Sequence, residues 1–358
     1  GVSRSFVPPA FTPVLPPGSA VPRPRSLPPA VKLRVLILFA GPGKDLRRLA
    51  VFLREAGVDV VEMDLLLGGE AHDVTRAEVF EPLMRRIAMG DFAAVFAAPP
   101  CATFSVAHDP VLRRCDDGQI EGVQGLPDEW KAHVKRHTSI ARRTGRLLQA
   151  AHQQGLLWLC ENPSFRGEKG SPAFWEDHLH HGALWCLDVF KDLANSAGVD
   201  QLVFAQCELG AVWQKYTTLL GSTALIDRMP QLKNLKCGHA RHVHLAKGRR
   251  GSGESLSQES AAYPPLMNAV ISDAIVAELQ AVSGAGRASH AVALRDVSAR
   301  GALPNQEVVD IDITRHGSIL ELQNPFKFGP NGRELGLAPL SVATYEGWLA
   351  ARVTRAGD

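Results

Sequence analysis

The 358 residues hold six cysteines, five methionines and three tyrosines. So few cysteines exclude a small disulfide-stapled scaffold. All six are expected as free thiols in an intracellular, reducing setting, nuclear or nucleoid. No uninterrupted apolar run approaches the ~18 residues of a bilayer span, so no membrane partner is expected. The Gly-Lys-Ser phosphate loop and the Gly-x-Ser-x-Gly nucleophile elbow are both absent, removing two common enzyme classes. A charged fraction of 21% beside 45% hydrophobic residues excludes a wholly disordered chain.

Acid is missing from three windows. Residues 1–44, 131–146 and 228–250 carry six, six and seven basic residues and no Asp or Glu. They hold 19 of the 39 basic residues, so the net charge of +2 conceals an acidic body with basic windows. Such segregation makes a polyanion-binding face, which points to nucleic acid as the partner. Solvated helix faces and loops are the alternative reading of any single window.

Nine prolines crowd residues 1–30, which read as a disordered, basic, Pro-rich tail. The first residue is Gly1, so a fragment or processed product is expected. From Leu33 the pattern becomes periodic. Apolar β-type runs at Leu33–Phe39, Val58–Met63, Phe92–Ala97 and Leu156–Cys160 alternate with helical spacing over Asp45–Ala56, Ala77–Met89 and His133–Gln154. Asn162-Pro163 is expected to stop the last of these strands. Val199–Ala205 and Thr217–Leu220 read as later strands, and Gln258–Val282 as a closing helix. Continuous apolar strands separated by helices predict an α/β fold, a Rossmann-like, mostly parallel sheet with helices on both faces. The domain reading is a tail over 1–30, a catalytic-type domain over 31–282, and a small α+β module over 283–358.

Ligands of such sheets sit beyond the carboxyl ends of the strands. The first strand ends in Phe39-Ala40-Gly41-Pro42-Gly43, where Gly41 and Gly43 let a ligand approach the backbone. The second ends in Glu62-Met63-Asp64, acids at the distance where a ribose diol is commonly held, and Asp73 follows as a candidate acceptor for an adenine amine. Ala98-Pro99-Pro100-Cys101 delivers a thiol stiffened by prolines, a candidate nucleophile. Glu161, at the next strand tip, is placed to protonate or hydrogen-bond a ring nitrogen during attack.

These elements resemble the DNA cytosine-5 methyltransferases. Phe39-Ala40-Gly41-Pro42-Gly43 resembles that family's Phe-x-Gly-x-Gly cofactor loop, and Glu62-x-Asp64 its ribose-binding acids. Asp73-Val74 resembles its Asp-Ile adenine contact, Pro100-Cys101 with Phe104-Ser105 its nucleophile loop, and Glu161-Asn162 its Glu-Asn-Val. Tyr263-Pro264 through Asn268-Ala269-Val270 is similar to its final Gly-Asn-x-Val segment. The resemblance implies S-adenosylmethionine as cofactor, held by Phe39, Gly41, Gly43, Glu62, Asp64, Asp73 and Pro99. It implies Cys101 and Glu161 as catalytic residues, and DNA, or RNA, as substrate. The chain departs from the pattern at Ala102, at Pro163, and at Gln214-Lys215-Tyr216-Thr217-Thr218, where the family's Gln-x-Arg-x-Arg has two arginines. A catalytically inactive nucleic-acid-binding relic within a mobile-element or phage-derived polyprotein is therefore the alternative. Asn162-Pro163-Ser164-Phe165 resembles the Asn-Pro-Pro-Phe of amino-methyltransferases and supports a second one.

Two further patterns carry less. Cys237-x-His239-x-x-His242-x-His244, with Cys207 upstream, has zinc-type ligands in no common zinc spacing, and its basic setting disfavours a cation. No metal is expected, and these read as loop or phosphate-contacting histidines. Gln323-Asn324-Pro325-Phe326, Gly332-Arg333-Glu334 and Tyr345-x-x-Trp348-Leu349 resemble a small domain family of unknown function and imply no activity.

Overall fold

Strands buried along both of their faces build a core on each side of one sheet. A computed structural model of the chain describes residues 33–41, 48–107, 110–116, 118–233, 235–239 and 261–284. In β1 (Arg34–Leu38), Val35 and Ile37 face one helical layer and Leu36 and Leu38 the other. The strands that follow are β2 (Asp59–Met63), β3 (Ala94–Ala97), β4 (Leu157–Pro163), β5 (Val199–Ala205) and β6 (Tyr216–Ser222). Their order is β2-β1-β3-β4-β6-β5, parallel except for β6, which runs antiparallel to both neighbours.

One layer of helices comprises α1 (Leu49–Glu55), α6 (Thr223–Asp227) and the last helix, α7 (Pro265–Gly284). The opposite layer holds α3 (Ala77–Ala88), α4 (Asp128–Gln153) and α5 (Asp188–Ala194), while the one-turn helix α2 (Leu65–Gly68) follows β2. Gly145 of α4 permits close packing on α5, since a Cβ there would meet Val189 at 2.6 Å. The α/β architecture read from the sequence is thus the one observed. Helix α7 is long and apolar enough to cross a membrane, yet here it is a core helix, packed on the sheet through Met267, Val270, Ile271 and Ile275.

Several boundaries move for identifiable reasons. Helix α4 starts five residues before His133, where Pro127 precedes Asp128 and Glu129, acids that suit a helix N-terminus. Helix α7 starts at Pro265, the favoured first-turn position for proline, and runs to Gly284. The largest correction concerns β4, which does not stop before Asn162-Pro163. It continues through Pro163 because β6 pairs with it antiparallel, Glu161 opposite Leu219 and Asn162 opposite Thr218. Cys115 and Cys186 form a disulfide with a Cα–Cα distance of 5.7 Å, so the six cysteines are not all free thiols. The 1–30 tail, Gly43, His242, His244 and the 285–358 part of the C-terminal module lie outside the described residues.

Candidate functional site

Connections leave β1 toward β2 and leave β3 toward β4, in opposite directions along the sheet. The crevice between the carboxyl ends of β1 and β3 is therefore the topological switch point, the place where open α/β sheets bind ligands. A cleft of about 1340 Å³ opens there. It brings together Phe39, Gly41, Glu62, Asp64, Pro99, Cys101 and Glu161, seven of the nine residues singled out from the sequence.

On the β1 side, Phe39 adopts φ +62°, a conformation costly for a bulky side chain, on the order of 1–3 kcal/mol. Its amide nitrogen is fixed by donating to the Met63 carbonyl at 2.7 Å, which ties the ends of β1 and β2 together. Gly41 has φ +78°, and among the described residues nothing lies within 4 Å of where a Cβ would stand. Its N–H donates to Asp64 Oδ2 at 3.0 Å, while Asp64 Oδ1 caps α2 through the Leu66 amide at 2.8 Å. The Glu62 carboxylate is nearly buried, pairing with Arg54 at 2.6 Å and, at closer range, with Arg48, which also lines the cleft.

Asp73 is not brought to the cleft. Its carboxylate accepts from the Thr75 amide and hydroxyl, at 2.9 and 2.6 Å, in a local turn, and Arg136 approaches it at 3.7 Å. Local side-chain-to-backbone bonding of this kind is what a short acid in a loop does by default.

On the β3 and β4 side, the extension of β4 decides where each group points. Cys160 and Asn162 face one layer, and Glu161 faces the α7 layer. Asn162 donates from Nδ2 to the Pro99 carbonyl at 2.8 Å, bracing the loop that carries Cys101. Glu161 is 4% exposed and fully engaged. Its Oε1 accepts from Thr217 Oγ1 at 2.9 Å with Lys215 Nζ at 3.6 Å, and its Oε2 accepts from Tyr263 at 2.5 Å. Thr217 in turn accepts from Gln206 Nε2 at 2.8 Å. Lys215 also sits 5.5 Å above the Tyr263 ring, and Phe96 meets that ring edge-on.

Burial pushes the Cys101 thiol above the ordinary cysteine range. The Lys215 ammonium draws it down, and the Glu161 carboxylate pushes it up again. Burial and Glu161 likewise push the Tyr263 phenol well up, so Tyr263 stays a neutral donor to the carboxylate. Sequence reading missed Lys215, Thr217, Tyr263 and Gln206 as site residues. Lys215 was within reach, because it stands in the segment where the family pattern has arginines. Asn268, read as part of a closing motif, is 2% exposed at the start of α7 and lines the cleft.

Arg113, 2% exposed, was also missed. It donates to Thr103 Oγ1 (3.0 Å), Thr138 Oγ1 (2.9 Å) and the carbonyls of Ile120 (2.7 Å) and Val134 (2.8 Å), and lies 4.0 Å over the Phe104 ring. It joins the Cys101 loop to α4. Burial pulls its pKa down to about 10, with Glu121 acting against the shift, so it remains a cation at neutral pH.

The basic window of α4 borders the cleft through Arg136, with Trp130 and His133 beside it. Lys131, Lys135, Arg142 and Arg146 are exposed, whereas Arg143 turns inward to the Val74 carbonyl and the Phe80 ring. Of the 228–250 window, Arg228 pairs with Glu278 at 2.5 Å and Lys233 and Lys236 are exposed. Cys207, Glu208, Cys237 and His239 converge away from the cleft, with donor atoms within 4.8 Å of one another.

No family model matches the chain, and no curated protein matches it. Among solved structures it is similar to a prophage-encoded E. coli protein assigned as a DNA modification methyltransferase. That likeness has 16% identity over 55% of this chain and 48% of the other, with a TM-score of 0.25. It is also similar to a mutant of Spodoptera frugiperda DNMT2, with 12% identity, 60% and 55% coverage and a TM-score of 0.28. The chain spans about half the length of each.

Proposed function

We propose that the cleft transfers a methyl group from S-adenosylmethionine to carbon 5 of cytosine in DNA, through a covalent adduct at Cys101. One observation carries the reading: a strand-end thiol and a buried, hydrogen-bonded carboxylate line one side of a switch-point cleft whose other wall carries Gly41, Glu62 and Asp64. The cofactor residues fit in part by their own geometry. Gly41 lines the cleft, Phe39 holds a strained backbone beside it, and the Glu62 carboxylate lies on the wall, where a diol would compete with or join Arg48. When bound, the cofactor supplies an electrophilic methyl group for carbon 5.

The chain's own residues do the rest. The Cys101 thiolate forms a bond to carbon 6 of the ring, and the electron pair moves toward carbon 5. Glu161 holds the ring nitrogen and exocyclic amine, relays a solvent proton to that nitrogen as charge develops on the ring, and takes it back when the thiolate leaves. Tyr263 and Thr217 fix the carboxylate, and the Lys215 ammonium favours the thiolate. Loss of the carbon-5 proton to solvent then breaks the sulfur–carbon bond and returns the thiolate. The target base must leave its stack to reach so recessed a thiol, from a duplex or a single strand. The exposed lysines and arginines of α4 are placed to hold the phosphate backbone. An amino-methyltransferase is not favoured, because Asn162 is spent on the Pro99 carbonyl and is absent from the cleft wall.

The test is methyl transfer from labelled cofactor to cytosine-containing DNA and RNA oligonucleotides across pH, with the product base identified. Because burial raises the thiol, the rate is expected to climb through neutral into alkaline pH as the thiolate fraction grows. Lys215→Met removes the charge that lowers the thiol, so the climb moves to higher pH and the rate near pH 7.5 drops about 10- to 100-fold. A methylated exocyclic amine as product would support an amino-methyltransferase instead. No transfer to any substrate, or an unmoved profile in the Lys215 variant, would count against this reading.

A further inference from the structure

The turn after β5 and residues 235–239 converge on a second centre. After β5, Gln206–Leu209 forms a single 3-10 turn closed by Gly210 at φ +95°, and it presents Cys207 and Glu208. Residues 235–239 lie against it. Ala205 donates to the Leu235 carbonyl at 2.9 Å, the Cys237 amide donates to the Tyr216 hydroxyl at 3.1 Å, and the Gly238 amide donates to Glu208 Oε1 at 2.9 Å. This backbone scaffold delivers Cys237 and His239 to the same point as Cys207 and Glu208, residues about 30 positions earlier in the chain.

The four side chains are two sulfurs, one imidazole and one carboxylate, all within 4.8 Å of one another. Cys237 Sγ lies 3.7 Å from His239 Nδ1, and His239 Nδ1 lies 3.3 Å from Glu208 Oε1. In a tetrahedral site with Zn–S of ~2.3 Å and Zn–N and Zn–O of ~2.0 Å, the corresponding edges are about 3.6 and 3.3 Å. These two spacings therefore already have the size of edges in a zinc coordination shell. The ligand softness agrees, since paired thiolates with an imidazole select zinc over magnesium or calcium.

We propose that Cys207, Glu208, Cys237 and His239 bind one zinc ion in a structural site. The sequence argued against a metal here because no four ligands fall in a common spacing. The fold supplies them instead from two loops. On binding, the two thiols release their protons to solvent, and two zinc–sulfur bonds form with no change of oxidation state. The ion ties the start of the basic 237–250 stretch to the turn before β6. Its neighbour Gln206 donates to Thr217, which donates to Glu161, so the metal braces the hydrogen-bond chain that ends at the cleft carboxylate. The proposal stands on these four residues and is independent of the reaction assigned to the cleft.

The full chain, expressed with zinc and purified under reducing conditions, is expected to carry about one zinc ion by elemental analysis. After removal of zinc, cobalt(II) is expected to give the intense visible bands of a tetrahedral site with sulfur-to-cobalt charge transfer. Cys237→Ser should weaken zinc binding at least about a hundredfold. His239→Ala, at a half-exposed position, should keep the far-ultraviolet dichroism of the parent while loosening zinc and shifting the cobalt bands. This variant guards against a cysteine variant that does not fold. Zinc content near zero after reconstitution, cobalt bands unchanged in both variants, or a Cys207–Cys237 disulfide in thiol-blocked protein would each overturn the proposal.

Discussion

Glu161→Gln is expected to lower the rate of methyl transfer by about 10²- to 10⁴-fold, the range typical for loss of a positioned acid–base group. Glutamine keeps the shape but has one acceptor oxygen, so it can accept from only one of Thr217 and Tyr263, which hold the two carboxylate oxygens at 2.9 and 2.5 Å. It cannot balance Lys215 at 3.6 Å, nor share a proton with a ring nitrogen as charge develops. Binding of S-adenosylmethionine, measured by calorimetry, should change little, because the cofactor-side residues Phe39, Gly41, Glu62 and Asp64 lie on the opposite wall. A fall in turnover with cofactor affinity intact is the signature of a group acting on the reacting base. Equal losses in both would show that Glu161 is structural.

Arg113→Met carries the largest expected effect on stability. The methionine fills part of the volume over Phe104 but takes a donor from the Ile120 and Val134 carbonyls and the Thr103 and Thr138 hydroxyls, of which Val134 keeps its bond from Thr138 Oγ1. Each unsatisfied group costs ~1–3 kcal/mol, part of it recoverable by relaxation and water, so the variant should lose about 3–5 kcal/mol in urea unfolding. Arg113→Lys should fall between the two, since one ammonium cannot span four acceptors on separate segments. Because Thr103 and Phe104 lie two and three residues after Cys101, activity should fall before the fold does as urea is raised.

What the sequence made legible, and what it did not, divides by the range of the interaction. Strand alternation and the β1, β2 and β3 exits could be read locally, because burial period and Gly or Pro punctuation are local signals. They place Phe39, Gly41, Glu62, Asp64, Pro99, Cys101 and Glu161 on one cleft. Asp73 was misplaced because loop acids bond their own backbone as readily as a ligand. The end of β4 was misjudged because Asn162-Pro163 is a stop signal only for a strand without a partner, and β6 supplies one. Lys215, Tyr263 and Arg113 act across separations of tens of residues, and no spacing rule reaches that far. The same holds for the Cys207–His239 cluster and for the Cys115–Cys186 disulfide, whose partners lie 71 residues apart.

The account depends most on a bond between Cys101 and a cytosine ring. Incubation with S-adenosylmethionine and oligonucleotides carrying 5-fluorocytosine blocks the final elimination and should trap that bond. Intact-mass and peptide analysis should then place one nucleotide adduct on Cys101, formed only with cofactor and lost in Cys101→Ser. An adduct on another residue, or none over a range of sequences with cofactor shown to be bound, would contradict it.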